Sequence, residues 1–113
     1  MLGRDSMVVN TGGEKVYVEE VEEAVRAHPV VVDALVVGLP SERFGQEVVA
    51  VVQLEPGTTL TPAEVRAFAA SSIARLKAPR RVAFCERIGR HPSGKPDYGW
   101  AVAAAAGAEP ATG

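Results

Sequence analysis

The residue best suited to chemistry is Lys95, which lies in a loop rich in glycine and proline near the end of the chain. Gly94 removes steric bulk beside the lysine, and Pro96 biases the lysine backbone toward an extended conformation. The side chain is therefore expected to project from a stiffened turn. Such a turn would hold a positive charge in a defined direction. The simpler interpretation is a solvated surface lysine in a turn.

Part of this loop matches the phosphate-binding pattern G-x-x-x-x-G-K-[ST] of nucleoside triphosphatases. Gly89, Gly94 and Lys95 fit its glycine and lysine positions. Pro96 stands where the pattern requires Ser or Thr, and it has neither a hydroxyl for Mg²⁺ nor a backbone N–H for an anion. The remaining machinery of such an enzyme would also have to fit in a very short chain. The sequence therefore argues against a P-loop enzyme.

A second candidate is the pair Gly12 and Gly13, which follows a short apolar run. Two adjacent glycines allow the backbone to turn sharply or to approach another group closely. One interpretation is the turn of a hairpin between strands at residues 7–10 and 14–17. The other is the wall of a ligand tunnel, in which any Cβ atom would collide with the ligand. The residues alone leave both interpretations open.

Length and composition limit the class of protein. The chain has 113 residues, enough for one domain, and its residues are 47% hydrophobic but only 5% aromatic, which predicts a core of small aliphatic side chains. The net charge of -2, with basic residues dispersed among acidic ones, argues against a nucleic-acid partner. The single cysteine, Cys85, indicates a reducing compartment. No membrane-spanning run or signal peptide is evident, so a soluble cytoplasmic protein is expected.

Hydrophobic periodicity and turn residues predict an α+β fold. The expected architecture is a small, mostly antiparallel sheet of about three main strands plus a short N-terminal hairpin, packed with two to three helices. Residues 1–106 are expected to form the domain and residues 107–113 a flexible tail. A turn is predicted at residues 38–41. The predicted helices are 19–28, 61–76 and 98–106, and the predicted main strands are 30–37, 46–54 and 81–86.

The start of the second helix carries the clearest local signal. The Thr61 hydroxyl can accept the backbone N–H of Glu64, the Glu64 side chain can reach back, and Pro62 occupies the first helical position. This helix is predicted to continue to about Leu76 and to end before Pro79.

Five separated segments of the chain occur in an order that is known from one protein family. The segments are Gly3-Arg4, residues 12–17 followed by residues 19–22, residues 37–40 with Gly45-Gln46, residues 77–80, and Ser93-Gly94-Lys95. With these segments in this order, the chain from about Gly3 to Tyr98 resembles the C-terminal domain of acyl-CoA synthetases in the adenylate-forming, AMP-binding superfamily. Each segment alone is a weak signal, but five in register make the resemblance specific.

The resemblance implies a ligase that works in two steps. A carboxylic acid, expected to be a fatty acid, reacts with ATP to give an acyl-adenylate and pyrophosphate, and coenzyme A then displaces AMP to give the thioester. In this family a large N-terminal adenylation domain holds most of the ATP and acyl pockets, and the small C-terminal domain is a mobile lid. Mg²⁺ is expected in the full-length enzyme but not bound by this domain. This chain alone is expected to be inactive.

The resemblance also assigns roles to both candidate sites. Lys95 corresponds to the family's adenylation lysine, which is expected to orient the reactants and offset charge at the α-phosphate. Gly12, Gly13 and Glu14 correspond to the segment that lines the passage for the pantetheine arm of coenzyme A.

Four further residues receive roles from the resemblance. Lys15 matches a position that faces phosphates, and Arg4 matches an arginine near the nucleotide ribose of ATP or AMP. Both residues are equally consistent with ordinary surface charges. Asp5 and Ser6 mark the expected hinge, where Ser6 replaces the Asp or Lys that is usual in relatives.

Two other functions stay open at the level of sequence. One is a non-catalytic protein-interaction module derived from this fold. The other is the lid of an aryl or amino acid adenylating enzyme that loads a carrier protein, because the resemblance only weakly separates coenzyme A from a carrier-protein thiol.

Overall fold

The structure is a computed structural model, and it describes residues 7–111. It contains one six-stranded sheet and three α-helices, so the predicted α+β class is confirmed. The strands are β1 (Val8–Thr11), β2 (Glu14–Tyr17), β3 (Val31–Ser41), β4 (Gly45–Leu54), β5 (Arg81–Cys85) and β6 (Glu109–Pro110); the helices are α1 (Val18–Arg26), α2 (Pro62–Ala70) and α3 (Tyr98–Ala105), with a 3₁₀-helix at Arg75–Lys77.

Strand β4 is the centre of the sheet. It pairs with β3 in antiparallel orientation from Gly45 to Leu54, and its other edge carries β5 in parallel orientation. The β1–β2 hairpin joins the same edge through Thr11, which pairs with Gly45. Among the described strands, β4 and β5 form the single parallel pair, which agrees with the predicted mostly antiparallel sheet.

Side chains of the sheet alternate between two buried faces. On β3, Ala34 and Val36 pack in the cluster that includes α1 and α2, whereas Leu35 and Val37 pack in the cluster that includes α3. All residues of β4 from 48 to 52 are buried, since both faces of this strand are covered. The core consists mainly of valine and alanine, as the composition predicted.

The start of α2 is as predicted, but its end is not. Thr61 Oγ1 accepts the Glu64 N–H at 3.1 Å, and Glu64 Oε1 accepts the Thr61 N–H at 2.8 Å, which completes the capping box. The helix ends at Ala70, so the predicted extension to Leu76 is wrong. Ser71 and Ser72 follow it, and their hydroxyls donate to backbone carbonyls three residues earlier. Such local bonds compete with continued helix.

The turn predicted at residues 38–41 is also wrong. Strand β3 runs to Ser41, Pro40 pairs with Gln46, and the chain turns at residues 42–44. The Ala34 carbonyl accepts a hydrogen bond from Arg26, and the Val36 N–H donates to Glu22. These backbone groups therefore point away from β4, toward side chains of α1. Pro40 lies four residues after Val36, so its nitrogen also points away from β4. The missing N–H of proline therefore removes no hydrogen bond between β3 and β4.

Residues 108–111 pack against the sheet. Ala108 and Ala111 are buried, and β6 pairs with β5. The Ala111 N–H also donates to the carbonyl of Arg80 at 2.8 Å. These residues belong to the segment 107–113 that was expected to form a flexible tail, and the domain boundary at residue 106 stays a prediction. Residues 112–113 lie outside the described residues.

Candidate functional site

Lys95 lies in a tight exposed turn. Gly94 adopts a φ of 89°, its N–H donates to the His91 carbonyl at 2.7 Å, and the His91 N–H donates to the Lys95 carbonyl at 3.0 Å. The lysine side chain is exposed. Within residues 7–111, no salt bridge holds its ammonium group. The turn thus presents an available cation, as the sequence predicted.

Arg90 ties this turn to the sheet. Its Nε and Nη2 atoms donate to the two carboxylate oxygens of Asp33 on β3, at 2.9 and 3.0 Å. Its Nη1 atom donates to the carbonyl of Gly94 at 3.0 Å. The guanidinium group therefore connects a strand of the sheet to the residue directly before Lys95.

Asp33 lies between two arginines. Arg26 on α1 donates from Nε to Asp33 Oδ1 at 3.1 Å, in addition to the bonds from Arg90. Partial burial alone would raise the pKa of Asp33, but the hydrogen bonds from Arg90, the Ala34 N–H and Arg26 outweigh it. The net effect holds the pKa of this carboxyl below its ordinary value. Sequence reasoning missed this group, because it joins residues that are distant in the chain.

The other end of the turn is fixed by Tyr98, the first residue of α3. Its hydroxyl donates to Glu22 Oε2 at 2.9 Å, and the same oxygen accepts the backbone N–H of Val36 at 2.9 Å. Glu22 is only 2% exposed, and this burial raises its pKa despite the two hydrogen bonds. Burial and the nearby Glu22 carboxylate also raise the pKa of Tyr98. The pair links α1 to α3 around the edge of β3.

Gly12 and Gly13 form the two-residue turn between β1 and β2. Their φ angles are 58° and 86°, and positive φ at both positions is what a type I′ turn requires. A Cβ atom on Gly13 would meet no atom of the described chain within 4 Å, and one on Gly12 would lie 3.9 Å from Phe44. The turn conformation, not crowding inside the domain, explains both glycines. Glu14 and Lys15 follow on β2 and are exposed.

The hairpin contacts Phe44, and two arginines lie close to the ring of this residue. The Gly12 N–H donates to the Phe44 carbonyl at 3.0 Å. The guanidinium carbons of Arg80 and Arg43 lie 4.0 and 5.1 Å from the centre of the Phe44 ring. Arg80 Nε is buried and has no hydrogen-bond partner within the part of the chain that the structure describes. Two guanidinium groups beside an open backbone suit an anionic ligand such as a phosphate. Sequence reasoning gave none of these three side chains a role in a site, although Arg80 lies in the segment 77–80 that carries the family resemblance.

The two candidate sites lie at opposite ends of the central strand. Asp33, which holds the Lys95 turn, is in register with Gln53 near the end of β4, whereas Thr11 of the hairpin is in register with Gly45 at its start. At about 3.3 Å per residue, these positions are roughly 26 Å apart along β4. The structure therefore does not bring Lys95 and the glycine pair together.

Three of the predicted site residues, Arg4, Asp5 and Ser6, lie outside the described residues. Between residues 7 and 111, no three His, Cys, Asp or Glu side chains form a set that could hold a metal ion. No helix in this range is long and apolar enough to cross a membrane.

Comparison with known proteins decides the family. Residues 20–95 match the AMP-binding enzyme C-terminal domain. This chain belongs to that family. The resemblance inferred from the five sequence segments is therefore confirmed. The matched range ends at Lys95 and includes β3, β4 and β5.

Named relatives of this AMP-binding C-terminal domain are acid–CoA ligases. The chain is 57% identical over 101 residues to a 3-oxocholest-4-en-26-oate–CoA ligase of Rhodococcus rhodochrous. It is 55% identical over 101 residues to a medium/long-chain-fatty-acid–CoA and 3-oxocholest-4-en-26-oate–CoA ligase of Mycobacterium tuberculosis. Each comparison covers 89% of this chain but 18% of the relative, so the chain spans about a fifth of the length of these relatives.

The fold is shared with a solved structure. The structure of apo MatB from Rhodopseudomonas palustris superposes with a TM-score of 0.81 at 36% identity. The superposition covers 88% of this chain and 20% of the MatB chain.

Proposed function

We propose that this chain is the C-terminal domain of a longer ligase that joins a carboxylic acid to coenzyme A with ATP. One observation carries the proposal: the available ammonium group of Lys95 and the open hairpin at Gly12 and Gly13 lie at opposite ends of one sheet. The names of the relatives support a fatty or steroid acid as the substrate. The large domain of such relatives is the expected partner of this one.

Lys95 serves the first step. A carboxylate oxygen of the acid attacks the α-phosphorus of ATP, the bond to the bridging oxygen breaks, and pyrophosphate leaves from an acyl-adenylate. Negative charge grows on the phosphate oxygens during this exchange. The exposed ammonium of Lys95 can contact both the carboxylate and these oxygens, which orients the reactants and offsets the charge.

The hairpin serves the second step. The sulfur of coenzyme A attacks the acyl carbon and the thiol proton is released to solvent, while the bond to the adenylate oxygen breaks and AMP leaves. Gly12, Gly13 and Glu14 line the passage of the pantetheine arm, where the space above Gly13 admits a close approach. Arg80 supplies positive charge for the phosphates of coenzyme A, whereas Lys15 is proposed to face the phosphates of ATP or AMP.

A rotation of the domain must separate these two steps. One active centre cannot meet both sites at the same time, because they are attached at positions roughly 26 Å apart along β4. Asp5 and Ser6 are the proposed hinge of this rotation, and Arg4 is proposed to contact the ribose of the nucleotide. Mg²⁺ is proposed to enter with ATP and to be held outside this domain.

The experiment compares the two half-reactions in the full-length enzyme that carries Lys95→Ala. We expect acyl-adenylate formation, measured as exchange of pyrophosphate into ATP, to fall by about 10²–10³-fold because the positioned charge is lost. Thioester formation from added acyl-adenylate should remain close to the unmutated rate. Equal loss of both half-reactions would contradict the role of Lys95.

A panel of substrates tests the chemical class. Medium-chain and long-chain fatty acids and a steroid acid are each supplied with ATP and either coenzyme A or a phosphopantetheinyl carrier protein. Thioester on coenzyme A from at least one acid is the expected result. Product on the carrier protein alone would replace the proposed function with that of a carrier-loading enzyme.

A further inference from the structure

The turn that carries Lys95 belongs to a strap, residues 90–98, that is fixed at both ends. Arg90 at its start is bonded to Asp33 on β3, and Tyr98 at its end is bonded to Glu22 on α1. Arg90 and Pro96 also form a backbone bridge that closes the strap on itself. Asp97 accepts the Trp100 N–H at 3.0 Å and so begins α3 directly after the strap.

The contact between Arg90 and Asp33 is built differently from an ordinary surface ion pair. Arg90 binds both carboxylate oxygens, so the guanidinium plane has a fixed orientation. The Asp33 side chain is 19% exposed and is held from its other side by Arg26. A two-point pair that is held in a network keeps its geometry better than a single exposed contact.

The same guanidinium reaches the peptide bond that precedes Lys95. Arg90 Nη1 donates to the Gly94 carbonyl, and Gly94 has a φ of 89°, a backbone conformation that residues with a side chain rarely adopt. A lysine side chain is long and flexible, so the place of its ammonium depends on where its backbone is fixed. The hydrogen bonds that run from Arg26 through Asp33 to Arg90 thus end at the carbonyl of Gly94, the residue directly before Lys95.

We propose that Asp33 and Arg90 are positioning residues for adenylation, which hold the Lys95 backbone in the orientation that the first half-reaction needs. This inference rests on the function proposed above. Neither side chain contacts the reactants in this role. Loss of either one leaves the ammonium present but misplaced, and a misplacement of about 1 Å can cost about 10²-fold in rate.

The test uses the full-length enzyme with Asp33→Asn and, separately, Arg90→Lys. Both changes remove the two-point pair with little change in volume. We expect each to slow pyrophosphate exchange by about 10-fold to 100-fold, and to leave thioester formation from added acyl-adenylate within about twofold. Equal slowing of both half-reactions by both variants would show a general structural role and overturn the inference.

Glu47→Gln is the matched control. Glu47 also pairs with an arginine, Arg81, and its side chain is also 19% exposed. Within residues 7–111, neither partner shares a hydrogen bond or a salt bridge with the strap. Both half-reactions should therefore remain within about twofold in this variant. Selective loss of adenylation in Glu47→Gln would contradict the assignment, because any lost ion pair would then have the same effect.

A double-mutant cycle with Lys95→Ala separates the inference from the function on which it rests. If Asp33 acts through Lys95, then Asp33→Asn causes no further loss of adenylation once Lys95 is alanine. A further loss of about tenfold in that background would overturn the positioning role while the role of Lys95 stands. If Lys95→Ala itself spares adenylation, the proposed function fails instead.

Discussion

Asp33 shows how neighbouring residues fix the charge of one side chain. Its carboxylate accepts hydrogen bonds from Arg26, from Arg90 and from the backbone N–H of Ala34. These donors favour the ionised form more strongly than partial burial disfavours it, so the pKa of Asp33 lies below its ordinary value. The carboxylate therefore stabilises the folded state only where it is ionised.

The sign of this shift predicts a pH dependence of stability. Because the pKa of Asp33 is lower in the folded than in the unfolded chain, its contribution is present above the unfolded pKa and is lost as the pH falls through the folded pKa. At neutral pH, Asp33→Asn should lower the free energy of unfolding by about 1 kcal/mol. Urea unfolding at a series of pH values should show this difference closing in the acid range. A difference that stays constant with pH would contradict it.

A substitution at Gly13 tests whether the fold itself requires a residue without a side chain at this position. Its φ is 86°, and an added Cβ would meet nothing in the described chain within 4 Å. Asparagine tolerates positive φ, so Gly13→Asn should cost about 1 kcal/mol of stability or less. Gly57→Asn is the control, because Gly57 has a φ of 81° and equally open surroundings. Urea unfolding should give similar losses for both variants, and a much larger loss at Gly13 would reveal an internal packing role.

At the scale of elements, the capping of α2 is a local determinant of stability. Thr61 accepts a backbone N–H at the first turn, where the helix has no internal partner for it. Thr61→Ala should therefore lower the free energy of unfolding by about 1 kcal/mol, and Thr61→Ser should restore most of it. Chemical unfolding of the two variants checks this. Equal losses in both would show that the methyl group, and not the hydroxyl, is responsible.

The contact between α1 and α3 depends on a buried polar pair. Tyr98→Phe removes the hydroxyl that donates a hydrogen bond to the Glu22 carboxylate, and it keeps the aromatic ring. Glu22 is 2% exposed. We expect a loss of about 1–3 kcal/mol in the free energy of unfolding, and a further rise in the pKa of Glu22 because this hydrogen bond lowers it. Tyr17→Phe, at an exposed tyrosine, is the control. An equal, small effect in both variants would show that the buried bond contributes little.

The elements that sequence reasoning predicted correctly are those with a local cause. Thr61 and Glu64 are three residues apart and form their capping box as expected. The glycine pair forms the turn of the N-terminal hairpin, as one of the two interpretations held. By contrast, β3 continues through Pro40 because β4 pairs with it, and no residue between 38 and 41 signals that partner.

At the scale of the whole molecule, the missed features are those that join distant parts of the chain. Asp33 and Arg90 are 57 positions apart, and no spacing rule connects them. The strand β6 forms because buried alanines place residues 109–110 beside β5. The separation of the two sites along β4 likewise depends on strand register. The sequence proposes Lys95 and the glycine pair as candidate site residues, but it does not give the distance between them.

The central claim is that opposite ends of this sheet serve different half-reactions. Its most direct test measures both half-reactions of the full-length enzyme in Lys95→Ala and Gly13→Asn, with Gly57→Asn as the control. We predict opposite profiles: Lys95→Ala loses acyl-adenylate formation alone, Gly13→Asn loses thioester formation alone, and Gly57→Asn retains both. If Lys95→Ala and Gly13→Asn impair the same half-reaction, the two ends do not divide the work, and the account is contradicted.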